Sequence, residues 1–156
     1  MARVKAVAGG LRAFALDPLR NFKHEIIAVA EWGGAEVTIR ALSAGDWVEY
    51  RRRAAELVSA ARVDAGLSAR AVEVAEGEDV SPEPQIEING NVLYAFVLVR
   101  TLFDENQQRV FSDEDIDEVA EAFSPVHDRL SAKVFELSGV GVTEGAPDPV
   151  DAAGND

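Results

Sequence analysis

The residues best suited to chemistry in this sequence are the carboxylates between positions 113 and 117. Asp113, Asp115 and Asp117 have the spacing of the first, third and fifth ligands of a calcium-binding EF-hand loop. Such a loop needs glycine at its sixth position and a bidentate glutamate at its twelfth, but Glu118 and Ser124 stand there. The run therefore predicts the capped start of a helix and no calcium site.

Residues for other metal or catalytic chemistry are few. The 156-residue chain has no cysteine and two histidines, His24 and His127, whose separation excludes the HxxxH and HExxH metal motifs. It has no Gly-x-Ser-x-Gly nucleophile turn and no phosphate-binding loop. We expect both histidines to be ordinary surface residues, and we predict no catalytic residue, no metal, no cofactor and no enzyme activity. A small hydrolase or metal-dependent enzyme is the least favoured alternative.

A run of three arginines, Arg51, Arg52 and Arg53, is the densest positive charge in the sequence. Such a run can bind phosphate or an acidic partner. Three adjacent residues on a helix point in different directions, however, which favours a solvated helix surface. Partner binding by these three arginines is therefore the less favoured interpretation, and they are secondary candidates for it.

Charge is distributed unevenly along the chain, whose formal net charge is −13. Residues 1–70 carry 11 basic and 8 acidic side chains, and residues 71–156 carry 4 basic and 20 acidic ones. An acidic surface repels the phosphate backbone, so DNA and RNA are poor candidate partners. The apolar run from Val92 to Val99 is too short to cross a membrane. No signal peptide is expected before Asp17, so the N-terminus is interpreted as part of the mature protein, and the absence of cysteine suits a reducing cytoplasm.

A β-hairpin is predicted near the N-terminus. The segment from Phe22 to Trp32 forms its first strand, Gly33 and Gly34 supply the turn, and residues 35–42 form the second strand. Apolar and polar residues alternate along the second strand, which predicts one buried face.

Helices are predicted for most of the remaining sequence. Ser43 and Asp46 form a capping-box pair that opens a helix over about residues 44–63. Residues 92–103 are apolar on nearly every side, so periodicity does not separate a buried helix from a strand, although the length favours a helix. Ser112 with Asp115 opens the next helix. The last one begins at Ser124-Pro125 and ends at Gly139.

The predicted fold class is α+β and mainly helical, with the N-terminal hairpin packed on a small helical bundle in a single domain over residues 22–140. The predicted core contains apolar residues from every element of this domain. They are Ile39, Trp47, Tyr50, Leu57, Phe96, Leu98, Leu102, Phe103, Ile116, Val119, Leu130 and Val134.

Three segments fall outside the regular pattern. Residues 1–21 have uncertain structure, with helical spacing from Val4 to Leu16 weakened by a glycine pair. Residues 72–90 form an acidic, proline-containing loop that ends near a short strand at Ile86 and Ile88. Residues 141–156 are rich in Gly, Pro, Ala and Asp, which predicts a disordered acidic tail.

The order of these segments resembles a known family. A Gly-Gly hairpin leads through Glu36-Val-Thr-Ile-Arg-Ala-Leu-Ser-Ala44 into a helix that carries aromatic residues. Later, Val97-Leu-Val-Arg-Thr-Leu-Phe-Asp104 is followed by Arg109-Val-Phe-Ser-Asp113 and by two short amphipathic helices. This pattern is similar to the tail assembly chaperones of long-tailed bacteriophages and prophages, and the resemblance covers roughly residues 22–140.

The resemblance implies a protein made in the host bacterial cytoplasm that binds the tape measure protein, keeps it soluble and helps recruit tail tube subunits. It implies no catalytic residues. Self-association is a further interaction compatible with it. The alternative function is a structural head–tail connector or tail-completion protein that stays in the finished particle.

The C-terminal helical pair is the first candidate for the client surface. Phe123 and Phe135 lie at or beyond the edges of the predicted core stripes, where they can present apolar surface, with Glu121 and Asp128 as a charged rim. The alternative is that both phenylalanines complete the core.

Overall fold

The computed structural model describes residues 10–69 and 86–140. These residues form five α-helices, a three-stranded sheet and two 3₁₀ turns. In chain order they are α1 (Gly10–Leu16), β1 (His24–Val29), a 3₁₀ turn (Ala30–Trp32), β2 (Ala35–Arg40), α2 (Ala44–Asp64), α3 (Asn91–Thr101), β3 (Leu102–Phe103), a 3₁₀ turn (Asp113–Asp115), α4 (Ile116–Glu121) and α5 (Pro125–Leu137). The predicted α+β, mainly helical fold is confirmed.

The hairpin is antiparallel as predicted, but its first strand is shorter than predicted. β1 and β2 pair antiparallel from His24↔Arg40 to Val29↔Ala35, and Gly33 and Gly34 have φ angles of 69° and 77°, which suit glycine. The first strand ends at Val29 rather than Trp32 because residues 30–32 turn as a 3₁₀ helix.

The prediction of one buried face on β2 is wrong. Thr38 and Arg40 are buried as well as their apolar neighbours. β2 is the central strand, with β1 on one side and β3 on the other, and α5 packs against it. Arg40 lies against the ring of Phe22, with Cζ 4.5 Å from its centroid. Both faces of the strand are therefore covered.

The apolar run 92–103 forms parts of two elements, a helix and a short strand. It forms α3 as far as Thr101, where the Thr101 hydroxyl donates to the Val97 carbonyl at 2.6 Å, and it then becomes β3. Leu102 pairs with Ile39 and Phe103 with Thr38, so the run completes the sheet. The predicted helix is correct except for its last two residues, whose partner strand lies about 60 positions earlier in the chain.

The capping predictions are confirmed at all three helix starts. Ser43 and Asp46 form both hydrogen bonds of a capping box, Ser112 and Asp115 form a second one, and Ser124 opens α5 with proline in its first turn. The chain leaves α5 through Gly139, whose φ is 75°. The aspartates of the 113–117 run therefore open a helix.

The core lies between the sheet, α3, α4 and α5. Nine of the twelve predicted core residues are buried. Eight of them, all except Phe103, form one cluster with Val29, Val37, Ala95, Val97, Val99 and Phe135. Trp47, Tyr50 and Leu57 are only partly buried, so their assignment to the core is corrected. All three lie on α2, whose principal helix neighbour is α3, so its apolar face is covered from one side.

Several sequence predictions fall wholly or partly outside the described residues. They concern residues 1–9, the acidic segment up to residue 85, and the tail 141–156. Within the described residues, α1 starts at Gly10 and exposes its apolar side chains, and Ile86 and Ile88 are not part of a strand. Asn89 instead accepts a hydrogen bond from the Asn91 amide just before α3.

Candidate binding surface

The two phenylalanines predicted to form a client surface differ in exposure. Phe135 on α5 is 8% exposed and belongs to the core, so the alternative in which it completes the core is correct for this residue. Phe123 is partly exposed and lies two residues after the end of α4. Of the predicted charged rim, Glu121 and Asp128 are both exposed.

Phe123 and Phe135 are brought together through Tyr94 of α3. The Tyr94 ring centroid lies 6.1 Å from each of them. These three rings belong to a longer series of seven, in which neighbouring centroids are 5.4 to 6.1 Å apart. In spatial order this aromatic row contains Trp47, Tyr50, Phe135, Tyr94, Phe123, His127 and Trp32.

Most of the aromatic row is accessible to a partner. Tyr94 is 36% exposed, and every ring except Phe135 keeps part of its surface in solvent. Rings in edge-to-face and offset contacts stabilise one another, so the row is a rigid apolar surface. Rigid aromatic surfaces lose little entropy on binding, which makes them effective in protein interfaces.

An open groove adjoins one part of the row. Its volume is about 390 Å³. It is lined by Tyr50, Tyr94, Asp128, Ser131, Ala132, Phe135 and Val140. We call it the aromatic groove. Its lining comes from α2, α3, α5 and from Val140 just after α5, and Asp128 is the one carboxylate among these side chains.

A second groove of about 250 Å³ lies near the other end of the row. It is lined by Phe111, Asp115, Glu118, Val119, Ala122 and His127. We call it the acidic groove. Tyr94 lines the aromatic groove and His127 lines the acidic groove, and both rings contact Phe123.

His127 is a structural residue of this surface, which corrects its prediction as an ordinary surface histidine. Its Nδ1 accepts a hydrogen bond from the Ser124 amide at 3.1 Å and lies 2.8 Å from the Ser124 hydroxyl. The imidazole thus closes the capping box of α5. Its ring contacts both Trp32 and Phe123. Burial lowers the pKa of His127 below its usual value of 6.5.

We expect the free energy of unfolding to fall as the pH is lowered from 7.5 to 5.5. The pKa of His127 is lower in the folded protein than in the unfolded chain, so its stabilising contribution is complete above about pH 6.5 and is lost as the pH falls through the folded value. Protonation also removes the Nδ1 acceptor from the Ser124 amide.

Urea unfolding of wild type and His127→Gln at both pH values measures this effect. Glutamine keeps an acceptor at the capping position without titrating, so the variant should lose less stability on acidification. An equal loss in both proteins would assign the pH dependence to other groups.

The charged side chains around the aromatic row are mainly carboxylates that form no salt bridge within the described residues. Among residues 10–69 and 86–140, Glu118, Glu121 and Asp128 take part in no salt bridge. The basic side chains of α5 are already paired with acids. Arg129 binds Glu31 at 3.0 Å, which lowers the pKa of Glu31 to about 2, and Lys133 bridges Glu25 and Glu136.

The three adjacent arginines of α2 take two directions, because Arg52 and Arg53 share Glu49 whereas Arg51 lies against Trp47. Arg52 binds Glu49 and Glu56, and its hydrogen bond lowers the pKa of Glu49 to about 2. Arg53 binds Glu49 and lies over Phe96, while Arg51 lies 5.9 Å from the ring of Trp47. They form no single patch, and Arg51 alone lies against the aromatic row.

Arg40, Arg100, Arg109 and Asp113 of the family-like motif form an ionic junction with Asp46, and the junction is buried at Arg40 and Asp46. Asp46 of α2 binds Arg40 at 3.2 Å and Arg100 at 3.4 Å. Arg100 continues to Asp113 at 3.3 Å, and Arg109 binds the same carboxylate at 2.7 Å. Arg109 also donates two hydrogen bonds to the Val99 carbonyl. The junction ties β2, α2 and α3 to the loop before α4.

Among the residues that the structure describes, no group of three His, Cys, Asp or Glu side chains is placed to hold a metal ion. Within the same two ranges, no helix is long and apolar enough to cross a membrane.

The fold is similar to that of a solved tail assembly chaperone. The chaperone of bacteriophage HK97 matches with a TM-score of 0.53 and 24% sequence identity, over 83% of this chain and 97% of that one. The family model of phage tail assembly chaperones matches residues 10–155, and the chain belongs to that family. No curated protein matches the chain. The resemblance seen in the sequence is therefore confirmed.

Sequence reasoning found two members of the aromatic row as surface candidates and missed the others. Trp47 and Tyr50 were assigned to the core because their helical spacing is that of a buried stripe. Tyr94 lies in a run that is apolar on nearly every side, where no exposed face is marked. His127 had one local signal, its position three residues after Ser124, which is the spacing of a capping box.

Proposed function

We propose that this tail assembly chaperone binds the tape measure protein, keeps it soluble and helps recruit tail tube subunits in the host bacterial cytoplasm. The family membership supports a role in tail assembly. The observation that carries the client-binding step is the aromatic groove, since it offers a concave, partly exposed surface lined by aromatic and other apolar side chains.

The groove suits a client that must be kept from aggregating. Apolar grooves on helical proteins bind the apolar face of a partner segment and thereby cover surface that otherwise self-associates. The surrounding carboxylates keep the chaperone itself soluble, because like charges on separate copies repel one another. Both properties are needed by a protein that holds a long, apolar-striped chain before assembly.

Co-expression with tagged segments of the tape measure protein from the same phage tests this function. Wild-type protein should co-purify with at least one segment. Phe123→Ser and Tyr94→Ala should each lower its recovery at least about fivefold, because both rings are central to the aromatic row. Val48→Ser, at an exposed position of α2 outside the row, is the matched control and should bind normally.

Circular dichroism on the same preparations verifies that each variant is folded. Phe135→Ser is unsuitable for this purpose because Phe135 is buried. Unchanged recovery with a folded Phe123→Ser, Tyr94→Ala double variant would place the client site elsewhere. Addition of tail tube protein to the purified complex then tests recruitment. We expect a ternary complex that forms only when the tape measure segment is present.

A further inference from the structure

We propose that the aromatic row and its two grooves bind an amphipathic helix whose apolar stripe is flanked by basic residues. This inference names the chemistry of the client segment and rests on the proposed function only for the identity of that client. It follows from three properties of the surface, namely its shape, its hydrogen-bonding groups and its charge.

The shape is that of a site for an extended apolar stripe. Seven rings in contact form one continuous row, with the aromatic groove towards one end and the acidic groove towards the other. An apolar stripe along a helix can contact the partly exposed rings on both sides of the buried Phe135, and the larger side chains of the stripe can enter the grooves. A single compact ligand would use one groove and leave the other exposed.

The hydrogen-bonding groups favour a helix over an extended peptide. The row is formed by side chains from α2, α3, α5 and the turns near them, and the helices bond their own backbone groups. A strand laid on these rings would leave its own amides and carbonyls without partners at the contact. A helix satisfies its backbone internally, so it loses no hydrogen bonds on docking.

The charge favours a basic partner. Asp128 lines the aromatic groove and Glu118 lines the acidic groove, and neither takes part in a salt bridge within the described residues. Arg129 and Lys133, the basic residues of α5, are neutralised by Glu31, Glu25 and Glu136. Lysine or arginine beside the apolar stripe of a client would therefore find unpaired carboxylates at both grooves.

Three fluorescently labelled peptides, each of roughly 18 residues or five helical turns, test the proposal by anisotropy titration of the full chain. The first has a leucine stripe flanked by lysine, the second the same stripe flanked by glutamate, and the third the composition of the first in scrambled order. We expect the first to bind at least about tenfold more tightly than the other two at low salt.

Variants locate the contact. Ala132→Trp fills the aromatic groove from an exposed position without removing a core side chain, so it should weaken binding of the lysine-flanked peptide at least about fivefold. Glu118→Gln should weaken it about two- to fivefold at low salt. Asp117→Asn is the matched control, since Asp117 is exposed in the same turn of α4 but does not line the groove, and it should have no effect.

Each alternative outcome contradicts a separate part of the proposal. Equal binding of the scrambled peptide means attraction by charge alone, and equal binding of the glutamate-flanked peptide means that the rim does not select charge. Unchanged binding by a folded Ala132→Trp places the site elsewhere. Co-purification with the tape measure protein without a preference for the lysine-flanked helix refutes this inference and leaves the proposed function intact. Tight binding of the lysine-flanked peptide without co-purification supports this inference and refutes the proposed binding of the tape measure protein.

Discussion

Replacement of Asp46 by alanine is expected to lower the free energy of unfolding by about 3–5 kcal/mol, because it removes the only carboxylate that binds the buried guanidinium of Arg40 in the described structure. Arg40 keeps its hydrogen bonds to the Ala41 and Arg100 carbonyls but loses its counter-charge. The variant also loses the hydrogen bond from the Ser43 amide that completes the capping box of α2. Urea unfolding monitored by circular dichroism measures the change.

Asp113→Ala is the matched control for this prediction. Asp113 binds two arginines of the same junction, but its side chain is 57% exposed, so solvent screens the interaction. We expect a loss below about 1 kcal/mol. If Asp46→Ala and Asp113→Ala destabilise the protein equally, then burial of the Arg40–Asp46 pair does not determine the size of the loss.

Replacement of Phe96 by alanine is expected to cost about 3–5 kcal/mol of the free energy of unfolding. Phe96 is 2% exposed on α3, at the centre of the core. The guanidinium carbons of Arg53 and Arg100 lie 5.0 and 5.6 Å from its ring centroid, so the variant loses two cation–π contacts together with the buried ring. Chemical denaturation at constant pH provides the measurement.

Phe14→Ala supplies the comparison at an exposed position. Phe14 on α1 is 49% exposed and lies beneath the guanidinium of Arg20. Its removal should cost less than about 1 kcal/mol. A Phe96→Ala loss of that same small size would show that the central segment is not part of the stabilising core.

Features of the fold that depend on neighbouring residues were predicted correctly from the sequence. The capping pairs at Ser43 and Ser112, the glycine turn of the hairpin and the proline at the start of α5 all act within a few residues of the chain. The inward faces of α4 and α5 follow from a helical period that one segment carries by itself. Those predictions needed no knowledge of which elements meet.

The candidate site was predicted less well, and Phe135 illustrates why. Its place on the stripe of α5 marks the edge of a core face, but Tyr50 of α2 and Tyr94 of α3 pack against its ring and bury it. Phe123 also contacts two rings, those of Tyr94 and His127, but it lies beyond the end of α4 and stays partly exposed. A phenylalanine at the edge of a helical stripe is therefore buried or exposed according to the packing of elements that are distant in sequence.

The sequence by itself determined the type and limits of most elements, the acidic character of the chain and its resemblance to the tail assembly chaperones. Those properties are set by composition and by interactions across one or two helical turns. Only the tertiary structure decided that Leu102 and Phe103 leave a helix to pair with β2, that Arg40 and Asp46 are buried together, and that seven aromatic rings form one row. Each of these depends on distances between segments, and no local pattern encodes which segments will come into contact.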